Sequence, residues 1–141
     1  MDKVLDLKRF IEAQEPKYAT ALKEIENGKK TSHWMWYIFP QLKHLGRSDT
    51  AQFYGIENKA EAEAFAAHPV LGSRLINISK ALLALTSNNA TQILGSPDDL
   101  KLQSCMTLFS ALPSSDPVFE MVLQKFYQGK KDDSTLAFIK A

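Results

Sequence analysis

Apolar positions along this chain recur at spacings of three and four, the pattern that lines one face of an α-helix. Leu7, Phe10 and Ile11 begin it, and Tyr18, Ala21, Leu22 and Ile25 repeat it one segment later. Pro16 separates the two, because a proline lacks the N–H that an interior helical turn needs. Gly28 follows the second where a left-handed stop is expected. The pattern therefore predicts a short helix and then one near 17–27. Ser48 and Asn58 are cap residues in front of helices near 49–54 and 59–67. Pro69 suits the first position of the longest helix, about 69–86, with the stripe Leu71, Leu75, Ile78, Leu82 and Leu85 and an end at Asn88-Asn89. Ser96-Pro97-Asp98-Asp99 joins a cap, a proline and two carboxylates at the positive end of a helix that reaches about Leu112. Asp116-Pro117 repeats the signal before the face Phe119, Val122, Leu123 and Phe126, and Gly129 closes it. A last helix runs from Ser134 or Thr135 to the end.

Residues 31–46 break the period. Trp34-Met35-Trp36-Tyr37-Ile38-Phe39 is an apolar run that fits a buried strand or a turn of helix equally well. With no partner strand in view elsewhere, an irregular or helical buried segment is expected. The fold class is all-α: a single compact multi-helix domain spanning 1–141, with about six to eight short helices and one long central helix.

Composition leaves that picture standing. At 141 residues and 45% hydrophobic, the chain is long enough to bury a core without metal or disulfide staples. Its 17 basic and 16 acidic side chains give a net charge of +1, which argues against nucleic acid as a partner. The single cysteine, Cys105, permits no internal disulfide and no zinc site built on several thiolates. Residues 1–10 lack the apolar core of a signal peptide, and no apolar run approaches the roughly 20 residues of a membrane span. A cytoplasmic protein with no membrane partner is expected.

No glycine-rich phosphate loop, metal-spaced histidine pair or Gly-x-Ser-x-Gly elbow occurs, so no motif calls for a metal or organic cofactor. Three clusters carry candidate chemistry. In the first, Lys30 and His33 stand next to both tryptophans, Trp34 and Trp36. Aromatic faces beside a cation are the ingredients of a nucleobase or sugar pocket, although aromatic residues form a domain's central core more often than a ligand site. In the second, Arg74 borders the apolar stripe of the long helix. It needs either a structural partner, with Asp99 or Asp132 available, or an anionic ligand to grip. In the third, Asp99 and Lys101 lie in the first turn of the 98–112 helix, where a lysine opposes the dipole and so suggests another role. Cys105, mid-helix among apolar residues, is a poor nucleophile.

Taken together these strings resemble the uncharacterised, mainly bacterial family catalogued as domain of unknown function 1810, sometimes mislabelled calpastatin. The likeness rests on Phe10 with Ala13-Gln14, Gly28 with Lys30, Ser32-His33-Trp34-Met35-Trp36, Ile38-Phe39-Pro40-Gln41 and Leu45-Gly46. It continues through His68-Pro69, Leu71-Gly72, Arg74-Leu75, Asp99, Lys101, Thr107-Leu108-Phe109, Gly129, Asp132 and Thr135-Leu136, covering nearly the whole chain. The resemblance implies an all-helical domain and no particular activity. The inhibitor label does not fit, because an inhibitor of that type is disordered and this chain has a core's composition. A looser likeness in style to small helical families acting on ADP-ribosyl or N-glycosidic substrates is fold-level analogy alone.

Two functional expectations follow. One is a protein that binds, or hydrolyses, a small anionic metabolite such as a nucleotide or ADP-ribosyl compound. Lys30, Trp34, Trp36, Arg74 and Lys101 would hold it, with Asp99 or Asp132 activating water and His33 assisting proton transfer. The alternative is a protein-interaction or regulatory module without catalysis, in which the same polar residues are structural pairs. Convergence of these residues on one concavity separates the two.

Overall fold

The computed structural model describes residues 7–140, and these form an all-α fold. Ten helices follow one another: α1 Lys8–Gln14, α2 Tyr18–Glu26, α3 Met35–Ile38, α4 Asp49–Phe53, α5 Lys59–Ala67, α6 Leu71–Ala84, α7 Ala90–Leu94, α8 Asp98–Ser110, α9 Val118–Tyr127 and α10 Asp133–Lys140. A 3-10 turn, Lys43–Leu45, precedes α4. The ends of the expected 1–141 domain, residues 1–6 and 141, lie outside the described residues.

The expected caps form where short polar side chains can reach a free N–H. Ser48 Oγ accepts from Ala51 N–H (3.1 Å) and Asn58 Oδ1 from Glu61 N–H (2.9 Å). Asp116 Oδ1 accepts from Val118 N–H (2.8 Å) at the head of α9. Three helix starts differ from expectation. At α8 the expected Ser96 cap does not form, because Pro97 itself stands at the capping position and the helix begins at Asp98 with no side-chain cap. α6 begins at Leu71, two residues after Pro69, because the His68 ring occupies the capping position: Nδ1 accepts from the N–H groups of Val70 (3.1 Å) and Leu71 (3.3 Å). Asn89, expected only to end a helix, also starts one, its Oδ1 accepting from Gln92 N–H (3.0 Å) at the head of α7. α3, inside the segment expected to be irregular or helical, and α7, which was not foreseen, are four and five residues long and bring the helices to ten among the described residues; each is too short to show a period.

The longest helix and the central helix are different ones. α6, with 14 residues, has one buried stripe, whereas α8, with 13, is buried at Leu102 and continuously from Ser104 to Phe109. A helix surrounded on all sides loses the one-sided apolar pattern that reveals a surface helix, so its sequence understates its position. α5, α7, α9 and α10 pack around it, and α6 packs on α2, α5 and α9. An aromatic file crosses this core: Phe10 meets Phe65 edge-on at 5.0 Å, Phe65 lies 5.5 Å from Phe109, and Phe109 lies 5.8 Å from Phe119.

The 31–46 segment is helical and irregular, as its lack of a partner strand suggested. α3 supplies one buried turn, after which Gln41 and Leu42 extend beside Ile56. Ile56 N–H donates to Gln41 O and Lys43 N–H to Ile56 O, both at 2.8 Å, which ties the segment to the start of α5.

α6 ends on a cation. Lys125 of α9 donates from Nζ to the carbonyls of Leu82 (3.3 Å), Leu83 (2.9 Å) and Leu85. An ammonium there satisfies terminal carbonyls and complements the negative end of the dipole. Lys125→Met keeps the aliphatic stem and should lower stability by about 1.5 kcal/mol in urea unfolding. An unchanged midpoint would mean that water serves those carbonyls equally well.

Candidate functional site

The site begins with a loop clamped by one carboxylate. Gly28, at φ +79°, turns the chain out of α2, and residues 30–34 then fold back over that helix. Glu24 Oε1 accepts from Thr31 N–H (2.8 Å), Ser32 N–H (3.1 Å) and Trp34 Nε1–H (2.9 Å), while Oε2 accepts from Ser32 Oγ–H (2.5 Å). Partial burial works to raise the Glu24 pKa, but the hydrogen bonds from Ser32, Thr31 and Trp34 outweigh it and hold the carboxyl at about 2. Trp34 is fully buried and belongs to the core; Trp36 is half-buried. Trp34 thus takes the core role, while Trp36 is left partly exposed.

Lys30 is fixed from both ends. Its N–H donates to Ile93 O of α7 (2.8 Å), and its Nζ, on a side chain only 8% exposed, pairs with Asp98 Oδ2 at 3.0 Å. The same ammonium lies 5.1 Å from the Trp34 ring centre. Asp98 also meets Lys101, whose Nζ is 3.7 Å from Oδ1 and 5.8 Å from the Trp36 ring centre. Lys30, Trp34, Trp36 and Lys101 are therefore brought together around Asp98, with two ammoniums sharing one carboxylate. This explains the lysine placed against the dipole in the first turn of α8: its partners are Asp98 and Trp36.

Lys101 is also part of a wall. A cleft of about 420 Å³ separates residues 41–51 from the start of α8, lined by Gln41, Leu45, Arg47, Ser48, Leu100 and Lys101 among others. A narrow crevice sharing Gln41, Ala51 and Lys101 with it runs past Trp36 and Tyr54. Arg47 is exposed and makes no ion pair among the described residues. The cleft is an apolar trough carrying an arginine and a lysine.

The other candidates stand apart from it. His33 is exposed, and its carbonyl accepts from Tyr37 Oη–H at 3.4 Å. Arg74 pairs with Gln14 Oε1 (3.3 Å) and Glu15 Oε1 (3.6 Å) and lies 5.2 Å from the Tyr18 ring centre. Its partners are thus on α1 and at the neighbouring turn, in place of Asp99 or Asp132. Asp99 Oδ2 accepts from Thr91 Oγ1–H (2.6 Å), Oδ1 from Leu100 N–H (2.9 Å), and its carbonyl from Tyr127 Oη–H. Burial foremost, with the Asp99 charge second, raises the Tyr127 phenol well above its ordinary value. Asp132 caps α10: Oδ2 accepts from the N–H (2.9 Å) and Oγ1–H (2.5 Å) of Thr135. No contact among the described residues joins His33, Asp99 and Asp132 into one constellation. Cys105 is buried, which pushes its thiol pKa well up. Among the described residues no group of three or more His, Cys, Asp or Glu side chains is arranged to hold a metal ion, and no helix is long and apolar enough to cross a membrane.

Sequence reasoning missed Glu24, Asp98 as an ion-pair centre, and Arg47. Asp98 had a usable signal, the i,i+3 spacing to Lys101. Glu24 and Arg47 had none, since their roles arise from a loop fold and a cleft.

The fold and site define a helical protein built around a buried helix, with a lysine–aspartate–lysine cluster at its head. The family model described as protein of unknown function (DUF1810) matches residues 4–139, and the chain belongs to that family. A solved structure, the conserved hypothetical protein Rv1873 from Mycobacterium tuberculosis, is 41% identical and superposes with a TM-score of 0.94. The match covers 97% of this chain and 98% of that one. No curated protein matches the chain.

Proposed function

We propose that the chain binds a small anionic metabolite, of the nucleotide or ADP-ribosyl class, in the cleft between residues 41–51 and the start of α8. The observation that carries this is Lys101. It shares Asp98 with Lys30, faces the Trp36 ring and lines a cleft that also carries Arg47, which has no ion-pair partner among the described residues. Sharing leaves the cluster with excess positive charge, and Leu45 and Leu100 supply apolar wall. A volume of about 420 Å³ falls in the range typical of metabolite pockets. Binding is favoured over hydrolysis, because His33, Asp99 and Asp132 do not line this cleft.

The test is a thermal-shift screen against nucleotides, ADP-ribose, NAD, sugar phosphates and simple carboxylates, run on wild type, Arg47→Ala and Lys101→Ala. A ligand at about 100 times its Kd should add ~2.7 kcal/mol, several degrees for this size. Each variant should weaken a true ligand by about tenfold, the worth of one charged hydrogen bond. Any hit is then incubated and assayed for product, which separates a binder from a hydrolase. If no anion shifts the wild type, the cleft reading fails and the interaction-module reading takes its place.

A further inference from the structure

Where α5 and α8 end, a second cavity of about 460 Å³ opens, with walls that include Leu75, Ile76, Phe109, Leu112 and Phe119. Its electrostatics are the reverse of the first cleft's. Glu63 and Asp116 are the charged residues of its lining, and neither is in an ion pair among the described residues. Asp116 uses Oδ1 to cap α9, which leaves Oδ2 available.

Backbone adds to the negative side. The N–H of His68 serves the carbonyls of Ala64 (3.0 Å) and Phe65 (3.2 Å), while the His68 ring takes the N–H groups of Val70 and Leu71. The carbonyls of Ala66 and Ala67 consequently accept no hydrogen bond among the described residues, and both residues line the cavity. They are the negative end of the α5 dipole. Among the described residues, then, an apolar chamber carries two carboxylates outside any ion pair and two unpartnered helix-terminal carbonyls, and no cationic side chain lines it.

From this complementarity we infer that the cavity is a second ligand site, specific for an amphiphilic organic cation: an ammonium on an aryl or branched alkyl body. The ammonium is a three-proton donor matched to carboxylate and carbonyl acceptors, and the body fills the space between Leu75, Ile76 and Phe119. An anion would face the two carboxylates with only the Ser114 and Ser115 hydroxyls as side-chain donors in the lining. The site is independent of the anion-binding cleft, sharing no lining residue with it.

The probe is phenethylammonium, titrated into the full chain and followed by amide NMR, beside uncharged 2-phenylethanol and anionic phenylacetate. Saturable shifts are expected at residues 66–72 and 112–119, with the alcohol weaker by about tenfold and phenylacetate without effect. The double variant Glu63→Gln/Asp116→Asn should weaken the ammonium by tenfold or more. Both substitutions preserve size, and the amide that replaces the Asp116 carboxylate keeps an Oδ1 for the cap. Glu63→Gln alone, at an exposed position, should weaken it measurably and guards against a folding defect. Equal affinity for the alcohol, unaltered ammonium affinity in the variants, shifts centred elsewhere, or no saturation in the millimolar range would each overturn the assignment.

Discussion

Glu24→Ala is expected to remove about 3 kcal/mol of stability, lowering the thermal midpoint by about 10 °C for a chain of this size. The substitution deletes the acceptor for Thr31 N–H, Ser32 N–H, Ser32 Oγ–H and Trp34 Nε1–H together. Trp34 is fully buried, so its indole donor has no easy alternative, whereas Thr31 is exposed and can turn to water. One orphaned donor at ~2 kcal/mol and two weaker losses make up the figure. A pH signature distinguishes this from simple loss of packing. The folded pKa of Glu24 is depressed from an ordinary 4.5 to about 2, so its contribution is fully present above 4.5 and disappears as pH falls toward 2. After allowance for solvent screening, about 2 kcal/mol is linked to that window. Urea midpoints measured from pH 6 to pH 2 should converge for wild type and Glu24→Ala as acid protonates the carboxylate. Glu24→Gln, which keeps an acceptor and loses the charge, should lie between them at pH 6. A constant gap across the range would show that the clamp is not ionic. Because the same loop carries Lys30, the alanine variant should also loosen the Lys30–Asp98 pair and, through Asp98, the Lys101 wall of the cleft.

What the sequence disclosed follows physical lines. Helices with one buried face, α2, α6 and α9, write a 3.6-residue period into the chain, and Ser48, Asn58 and Asp116 mark starts through local chemistry that needs no tertiary context. α8 is buried nearly all round and so has almost no period, although its position organises the fold. α3 and α7 span about one turn each, and His68 is a cap that propensity does not favour. The candidate site was legible where unusual residues cluster in sequence, as Lys30, Trp34 and Trp36 do, and where a residue breaks a local rule, as Lys101 does against the dipole; these four meet around Asp98. It was illegible where tertiary packing chooses the partner. Arg74 needed a partner beside its apolar stripe, but only the docking of α1 near α6 selects Gln14 and Glu15. Asp99 and Asp132 have the right side chains for chemistry, yet their carboxylates are engaged in local hydrogen bonds at the heads of α8 and α10.

Gly72→Ala tests how tightly α5 and α6 are joined, and two effects oppose each other there. Replacing a helical glycine by alanine ordinarily stabilises by up to ~1 kcal/mol, less in a first turn, where Gly72 lies. Against this, a Cβ on Gly72 would stand 2.2 Å from Ala66 O and 3.1 Å from Ala66 C, so the clash is with backbone and no rotamer relieves it. α5 cannot yield freely, because Phe65 next to that carbonyl is fully buried between the Phe10 and Phe109 rings. Overpacking against a braced element costs about 1–3 kcal/mol. The net expectation is a loss of about 2 kcal/mol, a midpoint lower by roughly 7 °C. Gly72 and Ala66 also line the 460 Å³ cavity, so the displacement should alter amide shifts around residues 112–119, on the opposite wall. A raised midpoint would mean that helix propensity wins and that the junction between α5 and α6 slides at little cost.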